Sequence, residues 1–140
     1  MINIFIAPTD TESGLTTISL GLIQALDAQG LKVGFVKPIA PGSSANERST
    51  QLIRSVLHLD TPEPMALADV QQSVSNGMLD RTLEDAVGLH AQVAEGCDVV
   101  IIEGLVPDRS EPYTAKLNVE IAKAMGWGNL SGVETATQSR

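Results

Sequence analysis

The sequence predicts an α/β fold, a parallel sheet with helices on both faces in three layers, and two observations carry that prediction. Short aliphatic runs alternate with segments of helical periodicity along most of the chain. The first strand, loop, helix and second strand close within residues 2–37. A unit of that size is almost always a right-handed crossover between parallel strands. A third observation qualifies the picture. Three strands are clear in the sequence, whereas sheets average about 5–6, so the fold is expected to be truncated.

The elements follow in order. Ile2 to Ala7 is nearly continuous in apolar residues, the pattern of a strand covered on both faces. Pro8 to Gly14 breaks all periodicity. Ile18, Leu22, Ala25 and Leu26 then fall on one helical face, and Gly30 suits the residue just past the helix end. Lys32 to Lys37 reads as a second strand, stopped by Pro38. After the polar loop Pro41 to Asn46, a helix is expected from Glu47 to His58, with Leu52, Ile53, Val56 and Leu57 as its apolar face. Two prolines mark a break over Thr61 to Pro64. A short helix is expected from an Asp69 cap to Gly77, and a longer one from Asp80 through Leu83, Val87, His90, Val93 and Ala94. Asp98 to Gly104 is the strongest strand, and Leu117 to Met125 forms a last helix closed by Gly126. Residues 1–126 are thus expected to form a partial domain. Residues 127–140 are polar, with no run of β-forming residues, and are expected to be a disordered tail.

Composition narrows the function classes. The chain has 140 residues, 43% of them hydrophobic but only 3% aromatic, which suits aliphatic packing of helix on sheet. A net charge of −8 argues against nucleic acid and anionic membrane as partners. The N-terminus lacks the pattern of a signal peptide, and no apolar run approaches the ~20 residues of a membrane span. A lone cysteine, Cys97, fits a reducing cytoplasm and reads as a small buried hydrophobe. His58 and His90 lie on expected helices without partnered ligand spacing, so surface or boundary roles are expected for them.

Three segments converge on one place. The loop Pro8 to Thr17 follows the first strand, Lys37-Pro38 the second and Glu103-Gly104 the third. In a parallel sheet all three lie at the carboxyl edge, where such sheets bind ligands. The loop reads Pro8-Thr9-Asp10-Thr11-Glu12-Ser13-Gly14-Leu15-Thr16-Thr17. Gly14 and Thr16 stand where a phosphate-binding loop places a glycine and a hydroxyl. Pro8 stands where the first glycine belongs, and Leu15 replaces the lysine that grips the transferred phosphate. The residues alone leave two readings open: a degenerate anion site, or a purely structural turn and cap. Candidate binding residues are Thr9, Asp10, Thr11, Glu12, Ser13, Gly14, Thr16, Thr17 and Lys37. Thr16 and Glu103 are candidate magnesium ligands, with a solvated strand end as the alternative for Glu103 and solvent as the alternative for Lys37. No residue is assigned a catalytic role.

At these residues the sequence resembles a known group. Thr9 to Thr16 followed by Val36-Lys37-Pro38-Ile39 is similar to the dethiobiotin synthetase-like P-loop proteins. Within that group the chain most resembles the N-terminal domain of bacterial long-form phosphate acetyltransferases. The resemblance also rests on leucine at position 15, on Phe35 to Ala40, on Val100 to Pro107 and on Leu117 to Lys123. It implies a P-loop NTPase-like, Rossmann-like fold. It implies a cytoplasmic parent enzyme that exchanges acetyl between coenzyme A and phosphate, with catalysis in a separate C-terminal domain. It further implies a regulatory, oligomer-supporting role for this part, answering to a small-molecule effector such as a nucleotide or another anionic metabolite. The rival reading is an ATP-dependent ligase of the dethiobiotin synthetase type, against which Leu15 speaks directly. A third is a structural piece that binds nothing.

Overall fold

The computed structural model describes residues 1–7, 15–42, 47–106, 110 and 112–126. Three strands form a parallel sheet: β1 (Ile2–Ile6), β5 (Val99–Glu103) and β2 (Val33–Val36), in the spatial order β1-β5-β2. Ile4 of β1 and Phe35 of β2 both sit opposite Ile101 of β5. β2 and β5 are buried along their whole length, as their unbroken aliphatic runs require.

Helices cover both faces. Helix α1 (Leu15–Ala28) and helix α2 (Arg48–Leu57) lie on one side, where Ile23 and Ile53 pack with Ile6, Val33, Phe35 and Ile101. Helices α3 (Leu67–Ser75), α4 (Leu79–Ala94) and α5 (Tyr113–Ala124) lie on the other, where Val70, Ala86, Val93, Leu117 and Ile121 meet Phe5, Val36, Val100 and Ile102. The expected three-layer α/β architecture is therefore present.

Several details differ from the sequence reading. A two-residue strand, β3 (Ile39–Ala40), pairs in parallel with β4 (Met65–Ala66). The Met65 amide donates to the Pro38 carbonyl at 2.8 Å. Neither strand is long enough to show a period. The stripe on α1 is rotated by one position: Ser19 and Ile23 are buried, while Ala25 is exposed. Val56 and Val87 are exposed rather than buried, and Ala86 takes the inner position on α4. Asp69 lies inside the first turn of α3 instead of capping it. Helix α5 begins at Tyr113, a turn before Leu117.

Helix ends follow simple rules. Gly30 adopts φ +80 past α1, and the Leu31 amide reaches back to the Leu26 carbonyl at 3.3 Å. Gly34 has a packing role, because a methyl group there would lie 2.4 Å from Val93 Cγ1 and 3.1 Å from Cys97 Sγ. Glycine thus lets α4 sit directly on β2. Cys97 is half-buried, and burial first, then Asp98, push its thiol above the ordinary range while Lys32 pulls it back.

His90 corrects an expectation. It is buried, and its Nε2 meets Asn3 Oδ1 at 2.8 Å. Asn3 Nδ2 in turn donates to the Met125 carbonyl at 3.1 Å. This pair of contacts ties α4, β1 and the end of α5 together. Burial holds the His90 imidazole below its ordinary value.

Candidate functional site

Parallel pairing sends the chain leaving β1, β2 and β5 to one edge of the sheet. Lys37 follows the last residue of β2, and Glu103 is the last residue of β5. The start of α1 lies after β1 at the same edge and contributes Thr16 and Ser19. Of the predicted site residues, Thr9, Asp10, Thr11, Glu12, Ser13 and Gly14 lie outside the described residues, as does the tail 127–140.

The structure brings Lys37, Glu103 and Thr16 into one buried polar cluster, while Thr17 stays exposed on α1. Lys37 Nζ lies 2.9 Å from Glu47 Oε1 and 3.3 Å from Glu103 Oε1. Ser49 Oγ donates to Glu103 Oε1 at 2.8 Å, and Ser19 Oγ to Glu103 Oε2 at 3.2 Å. Thr16 Oγ1 and Ser49 Oγ share a hydrogen bond of 2.7 Å. Glu103 is only 2% exposed, so it is no solvated strand end, and Lys37 at 7% does not reach solvent.

Three participants, Glu47, Ser49 and Ser19, were not singled out from the sequence. Glu47 precedes α2 in extended conformation and caps it, accepting from the Ser49 amide at 3.1 Å and the Thr50 amide at 2.7 Å. Its charge also complements the positive end of the helix dipole. Burial pushes the Glu47 carboxyl up, but the Thr50 amide and the Lys37 ammonium together outweigh it, so the group sits below its ordinary value. Ser19 lies outside the expected stripe of Ile18, Leu22, Ala25 and Leu26 and is buried because the observed stripe is rotated by one position.

The electrostatics decide what such an arrangement can do. One ammonium faces two carboxylates, leaving the cluster formally one charge negative. Buried charges of this kind are tolerated only when paired and hydrogen-bonded, and here they are. The cluster is therefore self-satisfied, with Lys37 already held by partners on α2 and β5. As arranged, it does not fit a resident magnesium ion. Both Glu103 oxygens are engaged by protein donors, and an ammonium sits against Oε1. No group of three or more His, Cys, Asp or Glu suited to a metal occurs among the described residues. Nor is any helix among them long and apolar enough to cross a membrane.

Comparison with known proteins bears on the identity of this fold. A family model described as an AAA domain matches residues 2–128. The chain is 48% identical over 124 residues to the phosphate acetyltransferase of Pseudomonas aeruginosa, covering 86% of this chain and 18% of that protein. It is 38% identical to the phosphate acetyltransferase of Haemophilus influenzae over 125 residues, covering 87% of this chain and 18% of that protein. Against the phosphate acetyltransferase of Escherichia coli it is 34% identical over 126 residues, with 87% and 18% covered. The chain thus spans about a fifth of the length of these relatives. With its P-loop-like order of elements, the chain belongs to the AAA-domain family and corresponds to the N-terminal region of phosphate acetyltransferases.

Proposed function

We propose that this chain is a non-catalytic, regulatory part of a phosphate acetyltransferase, supporting its oligomer and answering to a small anionic effector at a decayed nucleotide-type edge. The parent reaction would exchange acetyl between acetyl-CoA and phosphate, in a catalytic domain that these residues do not include. The observation that carries the non-catalytic part of this reading is the capture of Lys37. Position 15 holds leucine, so the phosphate-gripping lysine of a working loop is missing. The lysine that the edge does offer is bonded to Glu47 and Glu103. Phosphoryl transfer depends on cations placed against the developing charge. An edge whose buried cluster is formally negative supplies the opposite. The same observation disfavours the ligase reading.

Calorimetric titration of magnesium-ATP into the purified chain tests this, together with assays for ATP hydrolysis and acetyl transfer. The expected result is no turnover in either assay. A thermal shift on adding candidate anionic metabolites would identify an effector, since binding to the native state raises its stability by mass action. Micromolar affinity for magnesium-ATP accompanied by hydrolysis would overturn the non-catalytic reading.

A further inference from the structure

We propose that the contacts joining His90, Asn3 and Met125 form an acid-sensitive latch that seats α5 on the sheet, and that opening it loosens the backbone beside Glu103. The latch adds the proton to the inputs of the regulatory reading above, and it rests on that reading only for its consequence.

The contacts fix their own protons. Asn3 Nδ2 donates to the Met125 carbonyl at 3.1 Å, so Asn3 Oδ1 is the atom left to face His90. That oxygen can only accept, so the hydrogen lies on His90 Nε2, and Nδ1 is bare in the neutral ring. A second proton would place a full charge on a residue only 9% exposed. The neighbours of His90 one turn away on α4, Ala86, Val87, Val93 and Ala94, carry no charge. On β1 the ionisable group is the Met1 ammonium, at the exposed chain start. Before β5, the Asp98 carboxylate accepts from the Lys32 amide at 2.8 Å, and on α5 Glu120 and Lys123 lie 3.9 Å apart as a pair. Among the described residues none of these acts as a counterion to the ring, whose state is set by burial. Below pH 6.5 a proton therefore favours a ring turned out to solvent over one held in place. Its departure strands Asn3, itself 8% exposed, and slackens the hold on Met125.

Helix α5 carries the event to the other edge of the sheet. Asn3 pairs with Val100 near the start of β5, while Glu103 ends that strand. Asn118 and Met125 lie about 10 Å apart along α5. Asn118 holds Leu105 twice: the Leu105 amide donates to Asn118 Oδ1, and Asn118 Nδ2 donates to the Leu105 carbonyl, both at 2.8 Å. The join has no slack, because a methyl group on Gly104 would lie 2.9 Å from Asn118 Oδ1 and 3.0 Å from the Phe5 ring. A shift of α5 must then drag Leu105 or break both bonds. Leu105 follows closely on Glu103, the carboxylate to which Lys37, Ser49 and Ser19 donate. Coupling between two sites is reciprocal, so a ligand that changes the surroundings of Glu103 would also shift the protonation of His90.

Hydrogen exchange followed by NMR on the full 140-residue chain tests the proposal, with the His90 ring titrated in the same samples. The rates are corrected for the intrinsic effect of pH. As pH falls through the His90 midpoint, the Met125 and Leu105 amides should each exchange about fivefold faster or more, while the Ile101 amide in the central strand keeps its rate. His90→Gln, which can still donate to Asn3, should show no such step at either amide. Asn118→Ala should keep the step at Met125 and lose it at Leu105. The comparison within the unsubstituted chain decides the matter even where Asn118→Ala fails to fold. A Met125 rate that ignores the state of His90 overturns the proposal, as does a step that survives in His90→Gln. A step at Met125 without one at Leu105 in the unsubstituted chain also overturns it, and so does acceleration of Ile101 together with them, which would mean that acid merely unfolds the chain. These results do not bear on the lack of turnover expected above, so the latch can fail while the non-catalytic reading stands.

Discussion

Replacing Lys37 with methionine keeps most of the side-chain volume and removes the charge between two buried carboxylates. Lys37 Nζ is bonded to both Glu47 and Glu103, and its side chain is 8% exposed. Removing one partner of a buried ion pair costs about 3–5 kcal/mol. Glu47 retains the Ser49 and Thr50 amides, and Glu103 retains the Ser49 and Ser19 hydroxyls. The loss should therefore fall near the lower end, about 3 kcal/mol, a large share of the roughly 5–15 kcal/mol of an ordinary domain. Urea unfolding at neutral pH and in acid is the assay. In the parent chain the Glu47 value lies below 4.5, so its contribution is complete above 4.5 and is lost as pH falls through the lowered value. In Lys37→Met burial is less opposed, the Glu47 value rises, and protonation begins at higher pH. The gap between the two proteins should then be widest at neutral pH and narrow in acid. The double variant Lys37→Met/Glu103→Gln should recover part of the loss by removing one stranded charge. A loss below about 1 kcal/mol with no pH dependence would match an exposed pair and refute the reasoning.

Two other outcomes are expected. Burial depresses the His90 value below 6.5, so the neutral ring stabilises the fold fully above 6.5 and that contribution is lost as pH falls below it. His90→Gln, which can still donate to Asn3, should flatten this acid slope in urea unfolding. Gly34→Ala forces a methyl group against Val93 and Cys97, and thermal unfolding should show a loss of about 1–3 kcal/mol.

The α/β class and the shared carboxyl edge were legible because strand and helix periods are local properties of the chain. Long aliphatic runs such as Val99 to Ile102 have one reading. The two-residue strands β3 and β4 have none, since their pairing is set by tertiary contact. The interior of the candidate site was harder to read. Lys37 and Glu103 were visible as strand-end residues, but their burial depends on α2 arriving from across a loop. Glu47 stood only as the start of an expected helix, and its placement beside Lys37 gives it a second role. His90 misled for the same reason: its partner Asn3 lies 87 positions away.

The double duty of Glu47 limits how this edge could change. One carboxylate both starts a helix and supplies a counterion for the neighbouring strand end. A free phosphate would have to outcompete groups that are covalently tethered and already in place, which gives them a standing advantage in local concentration. Freeing the ammonium by substituting Glu47 would simultaneously unseat the first turn of α2. Phosphate chemistry at this edge would therefore demand coordinated substitutions, and a lysine introduced at position 15 would not suffice by itself.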